Sequence, residues 1–318
     1  MSALALAVDL GGTKLESALV DQTGRVVAGS RARRATGVRT GPADLHDALQ
    51  QAMAATLAAL PSGGSIAGIG IGSAGPVDLS AGTISPVNMP SLAALPLAEL
   101  VASVAREHGQ QDLTTRLRHD GGCLALAESW VGAARGARAS LSIVVSTGVG
   151  GGFVLDGAPF SGASGNAGHL GQIHLGQGLT LEEIASGPAS VAWANGQGWL
   201  GTSGEDLARD ALAGDETARA AIERSATAVG RALADASTLF DLDLVAIGGG
   251  FSRASLDYVD LVAEALREHA ALPYSRATRV VTSALGDEGP LIGAAALIVG
   301  PGGIASSTHR HPETPARQ

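Results

Sequence analysis

The sequence is short of cysteine, aromatics and charge. Of its 318 residues one is cysteine, Cys123, which excludes intramolecular disulfides and any metal site built on several thiolates. A lone thiol fits a reducing compartment, so a cytoplasmic location is expected. Aromatics make up 3% of the chain, too few for a surface that stacks on bases. Charged residues make up 16%, and acidic ones outnumber basic ones 30 to 21, for a net charge of −9. Nucleic acids and anionic lipid surfaces select basic proteins, so neither is expected as a partner. No apolar run is long enough to cross a bilayer. The N-terminus lacks a basic segment and Asp9 interrupts its apolar run, so it does not read as a signal peptide. No G-x-x-x-x-G-K-S/T is present, which excludes a Walker-type phosphate loop.

What the chain has is apolar residues, at 45%, and 45 glycines. That is a globular composition, with length for one large or two medium domains. Many of the glycines fall where strands end. Asp9-Leu10-Gly11-Gly12-Thr13-Lys14 separates two apolar runs, Leu4 to Val8 and Leu15 to Val20. Paired glycines let a backbone approach a ligand closely, and successive N–H groups in such a turn form an anion nest. Thr13 adds a hydroxyl, Lys14 a positive charge, and Asp9 a carboxylate able to position hydrated Mg²⁺. The stretch reads either as a phosphate-binding hairpin or as an ordinary Gly-Gly hairpin turn. A second strand–turn–strand follows at Ile143 to Leu155, with Thr147, Gly148, Gly150 and Gly151 at its turn. A third cluster, Gly248-Gly249-Gly250, follows the strand Leu244 to Ile247. Three such turns suggest one nucleotide gripped from several sides.

Between these turns the pattern predicts three strands over residues 4–31 and a helix from Pro42 to Leu60, with Leu45, Leu49, Met53, Leu57 and Leu60 at helical spacing. Strands are expected over 66–71, 112–118, 243–247 and 278–282. Helices are expected over 96–107, 123–134, 180–198, 204–213, 215–240, 253–269 and 289–299. Residues 157–178 read as a long Gly-rich loop. Gly70 to Gly75 matches G-x-G-x-x-G, but Gly82 interrupts before a full helix could form, so it is not a dinucleotide site. Arg31, Arg33, Arg34 and Arg39 read as the solvated edge of a strand. Each half opens with a β-hairpin, which points to a duplicated α/β unit.

As an ordered set, D-L-G-G-T-K, S-T-G-V-G-G-G and I-G-G-G-F-S resemble the two phosphate motifs and the adenosine motif of the ROK family, from about residue 4 to about 299. That family comprises bacterial sugar kinases and sugar-responsive repressors. The resemblance implies a two-lobed actin-like ATPase (ribonuclease H-like, duplicated) fold, with an interlobe cleft and ATP with Mg²⁺ held near Asp9. It implies ATP contacts from Asp9, Gly11, Gly12, Thr13, Lys14, Thr147, Gly148, Gly150, Gly151, Gly249 and Gly250. Expected boundaries are 1–118 with 289–300 for the small lobe, 119–288 for the large lobe, and a disordered Pro-, Gly- and Ser-rich tail at 301–318.

For the sugar side the resemblance implies Gly75, Asn88, His119, Asp120, His169 and Glu182, with Asp120 as general base. From the residues alone, Asp120 also reads as a helix N-cap, Asn88 as a turn former and Glu182 as a first-turn helix glutamate. The family's Asn-Asp-x-Asn is His119-Asp120-Gly121-Gly122 here. In Gly165-Asn166-Ala167-Gly168-His169-Leu170-Gly171-Gln172, His169 replaces the family's sugar-contacting glutamate and Gln172 its zinc histidine. The zinc cysteines are missing, so no structural zinc is expected. Histidine at the glutamate position resembles the N-acetylmannosamine kinases, which tilts the expectation towards an N-acylhexosamine over glucose, phosphorylated on O6. A non-catalytic sugar- or nucleotide-binding regulator is the alternative, and glucokinase the alternative among enzymes. The repressor branch would carry an N-terminal helix-turn-helix, for which a first strand at about residue 4 leaves no room. Family resemblance suggests a homodimer.

Overall fold

The computed structural model describes residues 3–176 and 178–301. It opens with a hairpin of β1 (Ala3–Leu10) and β2 (Lys14–Val20), whose register sets Asp9 opposite Glu16. Leu6, Val8 and Leu10 of β1 are buried in one apolar cluster and Ala5 and Ala7 in another, so this strand is covered on both faces. That is why its sequence runs apolar without alternation. The third strand expected within 4–31 forms later, as β3 (Ala32–Ala35). After the turn at 21–24 only a single bridge forms, Val20 to Val26. Ser30 Oγ accepts the Leu19 amide at 3.1 Å and donates to the Val27 carbonyl at 2.7 Å, and Gly29 takes φ +77°. The chain therefore loops out before it pairs again.

Next come α1 (Pro42–Ala58), β4 (Ser65–Ser73), a ribbon of β5 (Val77–Asp78) and β6 (Thr83–Ile84), α2 (Leu97–Glu107) and β7 (Thr115–His119). The first sheet has the order β3-β2-β1-β4-β7, with β1, β4 and β7 parallel. Leu45, Leu49 and Met53 of α1 are fully buried against it.

Then α3 (Asp120–Val131) leads into a second sheet, of β8 (Ala139–Val145), β9 (Val149–Leu155) and β10 (Ala158–Phe160). Helices α4 (Leu181–Ala185), α5 (Gly187–Gly196), α6 (Gly204–Leu212) and α7 (Glu216–Phe240) precede β11 (Leu244–Gly248). They are followed by α8 (Tyr258–His269), α9 (Pro273–Arg276), β12 (Arg279–Thr282) and α10 (Gly289–Val299). The second sheet has the order β10-β9-β8-β11-β12, an antiparallel meander continued by two parallel strands, as in the first. The duplicated unit is therefore present.

Three expectations shift. β10 lies inside what reads as loop. The single helix over 180–198 is two, because Ser186 leaves helical geometry and caps α5 by accepting from the Ala189 amide. The helix expected from 253 starts at Tyr258, after one 3₁₀ turn at Phe251–Arg253. The expected disordered tail lies, apart from Pro301, outside the described residues.

Helix α3 packs on both sheets, and α10 packs on α3 and on the first sheet. Two glycines permit the close approach. A Cβ at Gly121 would collide with the Gly151 carbonyl of β9, and one at Gly293 with the Cys123 carbonyl of α3. Among the described residues, no helix is long and apolar enough to cross a membrane.

Candidate active site

The β1–β2 turn is closed by the Gly11 amide donating to the Lys14 carbonyl at 2.9 Å. Thr36, beyond β3, braces it through its hydroxyl to the Gly11 carbonyl at 2.9 Å and its amide to the Thr13 carbonyl at 3.0 Å. A Cβ at Gly12 would collide with the Asn88 amide, so Asn88 packs directly over this turn. Asp9 sits just before it at 5% exposure. Its Oδ1 is buried without a hydrogen-bond partner. Burial first, and then the nearby Asp120, push the Asp9 carboxyl up to about 7, against the opposing pull of Lys14.

The basic cluster is not simply a solvated edge. Buried Glu16 takes Lys14 Nζ at 2.5 Å on one oxygen and Nε of both Arg31 and Arg33 at 2.9 Å on the other. Burial alone would raise the Glu16 carboxyl; Lys14 and Arg33 bring it below the usual carboxylate range. Three cations around one carboxylate leave local positive charge beside the turn.

Two adjoining cavities run from here into the second half of the chain. One of about 220 Å³ is lined by Asp9, Lys14, Ser146, Gly249, Gly250 and Ser283, among others. The other, of about 480 Å³, is lined by residues that include Ser146, Thr147, Asn195, Gly250, Phe251 and Arg253. Ser146, Gly250 and Arg253 border both. A smaller cavity with Asp9, Lys14 and the Gly249–Gly250 backbone in its wall, adjoining a larger one, suits a phosphate chain and a nucleoside, and the larger volume falls in the range of small-molecule pockets. Gly249 holds φ +102°, and a Cβ there would collide with the Val145 carbonyl, so glycine is required.

The second hairpin is held by side chains from elsewhere. Glu182, on α4, accepts the Val149 amide at 2.8 Å, and the space above Gly148 is filled by its carboxylate. Gly150 and Gly151 fall within β9 and not in its turn. The Gly151 carbonyl packs against Gly121 and Gly168, which lack the Cβ that would block it, and a Cβ on Gly151 itself would crowd the Ser142 carbonyl.

Asp120 is the first residue of α3, but it is not the cap. His119 is: its Nδ1 accepts the Gly122 amide at 3.1 Å. Because Nδ1 accepts, the proton is on Nε2, which donates to the Ala167 carbonyl at 2.9 Å. Burial, and then His169 nearby, push the His119 imidazole down to about 4. Both ring nitrogens are thus engaged by backbone. In this arrangement the His119 ring, expected to contact the sugar, is a cap and a tie with no polar atom to spare. The same bond overturns the capping alternative for Asp120. One Asp120 oxygen accepts the neighbouring Gly121 amide at 2.7 Å. The side chain is open to solvent in the cleft, although protein surrounds it, and that confinement raises its pKa.

The 161–173 loop faces Asp120. Asn166 pins it to β5, accepting the Val77 amide and donating to the Val77 carbonyl, both at 2.8 Å. Arg118 donates to Ser161 Oγ. His169 Nδ1 donates to the Asn166 carbonyl at 2.8 Å, leaving Nε2 as an acceptor. That nitrogen lies 3.1 Å from where a Gly75 Cβ would stand, and the ring centroid is 5.4 Å from that of His119. The Thr180–Glu183 capping box starts α4 beyond the loop, with no cysteine involved. Gln172, at the expected zinc-histidine position, ends a 3₁₀ turn. Among the described residues no group of three His, Cys, Asp or Glu side chains could hold a metal ion.

Asp9, Lys14, Gly249 and Gly250 thus line one cavity, Thr147 and Gly250 the next, and Asp120, His169 and Gly75 gather beside them. Asn166, Arg253 and Glu16 were not among the expected site residues. Asn166 was legible only as part of a motif, because its partner lies 89 positions away.

The family model for ROK matches residues 5–300. The chain belongs to the ROK family. An N-acetyl-D-glucosamine kinase from Salmonella gallinarum is 31% identical over 309 residues, covering 91% of this chain and 97% of that protein. A ROK hexokinase from Thermus thermophilus superposes with a TM-score of 0.77 at 31% identity, over 93% of this chain and 97% of the other. A ROK family glucokinase from Streptomyces griseus, solved with glucose and AMPPNP, gives a TM-score of 0.76 at 27% identity, over 93% and 99%. The fold is accordingly the two-lobed actin-like ATPase fold of these ROK proteins.

Proposed function

We propose that this ROK protein is an ATP-dependent sugar kinase that transfers the γ-phosphate to the O6 hydroxyl of an N-acylhexosamine or hexose. The observation that carries this reading is the state of Asp120. Its neighbour His119 takes over the cap, and the Asp120 carboxylate stands in the cleft beside the cavity containing Asp9. A carboxylate whose pKa is raised is a better proton acceptor, and a placed general base contributes about 10²–10⁴ in rate. Asp120 would take the hydroxyl proton as the oxygen attacks phosphorus. The nest at residues 11–13, Lys14 and the Gly249–Gly250 turn would hold the phosphates, with adenosine in the larger cavity.

Mg²⁺ fits the residues present. The buried Asp9 Oδ1 has no partner within the protein, and an oxygen of this kind suits a hydrated Mg²⁺ shared with substrate phosphates. Bound there, the ion would neutralise charge on the phosphate chain. Loss of a proton from Asp9 accompanies such binding.

On the sugar side, His169 Nε2 is an acceptor, so it would receive a hydroxyl or an acetamide N–H. The N-acetyl-D-glucosamine kinase relative agrees with an N-acylhexosamine. We take residues 1–118 with 289–300 as the small lobe, 119–288 as the large lobe, and the active form as a homodimer, which light scattering tests. The functional test is a coupled ADP-release assay with Mg²⁺ over glucose, mannose, N-acetylglucosamine and N-acetylmannosamine. Turnover on at least one supports the kinase. No turnover on any, with ATP still bound, supports a non-catalytic regulator.

A further inference from the structure

We propose that Glu128 is a positioning residue for phosphoryl transfer: it holds the phosphate-lining segment 283–287 in register with the helix that begins at Asp120. The proposal deepens the kinase reading and rests on it. Glu128 is fully buried, and its surroundings are built for a carboxylate. One oxygen accepts the Ser283 hydroxyl at 2.5 Å, the Ala284 amide at 3.1 Å and the Leu285 amide at 3.3 Å. The other accepts the Ala133 amide at 2.6 Å, just past the end of α3. No cation pairs with it among the described residues. A carboxylate kept from water is costly unless donors replace the water, and here successive backbone N–H groups do so.

Its place in the chain gives the bonds their meaning. The polypeptide passes between the two sheets twice: through α3 after β7, and through residues 283–288 between β12 and α10. Glu128 joins these two passages. It lies eight residues after Asp120 on the same helix, roughly 12 Å along the axis. The segment it grips lines the smaller cavity through Ser283, Gly286 and Asp287, together with Asp9 and Lys14. That segment also receives Arg31, whose Nη2 donates to the Asp287 carbonyl at 3.2 Å. Ser283 packs against Gly248, at the root of the Gly249–Gly250 turn. One carboxylate therefore fixes the base-bearing helix, the wall of the phosphate cavity and the third glycine turn relative to one another. A misplacement of about 1 Å in such alignment can cost about a hundredfold in rate.

The test is Glu128→Gln in the full chain. The amide keeps the size but turns one acceptor into a donor facing N–H groups. Steady-state kinetics are measured for ATP and for the sugar, alongside calorimetric binding of Mg²⁺·AMPPNP. The expected result is a kcat about 10- to 100-fold lower and nucleotide affinity weakened about tenfold, with KM for the sugar changed less than about twofold. Wild-type kcat and nucleotide affinity in folded variant, with only a lower Tm, would overturn the proposal. If Glu128→Gln does not fold, Ser283→Ala removes a single donor and is expected to weaken Mg²⁺·AMPPNP several-fold; unchanged affinity there would overturn it. The nucleotide-binding arm does not depend on turnover, so a failed kinase reading and a failed Glu128 role give different results.

Discussion

Replacing Asp9 with asparagine should make the ligand-free protein more stable at pH 8 while removing its Mg²⁺-dependent activity. Asp9 rises from 3.8 to about 7 on folding. At about 1.4 kcal/mol for each tenfold change in proton affinity, ionising it inside the folded protein costs about 4 kcal/mol. The sign follows from the raised value: below 3.8 the carboxyl is protonated in both states and costs nothing. As pH rises through about 7 the native state must carry the charge, and the full cost is felt. Asparagine abolishes that cost but buries an amide without partners, which takes back roughly 1–3 kcal/mol. The net gain at pH 8 is about 1–3 kcal/mol, a Tm rise of a few degrees. At pH 4.5 wild type still has most of its proton, so the gain vanishes or reverses. Differential scanning calorimetry without Mg²⁺ or nucleotide, at pH 4.5 and 8, reads the difference. ADP release with Mg²⁺ reads the activity, expected to fall by at least a hundredfold. A Tm difference between variant and wild type that is the same at both pH values would refute the reasoning.

Asp120→Asn should lower kcat by about 10²–10⁴ and leave calorimetric ATP affinity within about twofold, because the residue faces the hydroxyl and not the nucleotide. His119 is pushed down to about 4, so its contribution is fully present above 6.5 and is lost as pH falls through 4. Urea titrations between pH 6.5 and 4 should show a loss of about 3 kcal/mol that is absent in His119→Asn, whose side chain still caps α3. Asn166→Ala removes both bonds to Val77 and should raise the sugar KM about tenfold and lower Tm, with KM for ATP unchanged.

How much of this could be read from the residues depends on range. The glycine turns were legible because the glycines stand beside the apolar strands they terminate. β10 was not, since three residues, Ala158-Pro159-Phe160, are too few to show an alternation. β3 was displaced by the Ser30 side chain folding back on Leu19, a bond with no local signature. His119 was read as a sugar ligand by its motif position, yet both nitrogens are consumed by backbone, one of them 48 residues away. Glu128 looks like any helix glutamate until its partners at 283–285 are in place. The arginines after Gly29 look like a solvated edge until Glu16 is found buried beneath two of them. In each case local chemistry was legible and long-range pairing was not.

The most direct measurement is ³¹P NMR of a mixture of protein, Mg²⁺·ATP and N-acetylglucosamine or N-acetylmannosamine. A phosphomonoester signal coupled to the C6 protons, growing with wild type and growing about 10²–10⁴-fold more slowly with Asp120→Asn, is the predicted result. Equal rates of signal growth from both proteins would contradict the placement of catalysis at that carboxylate.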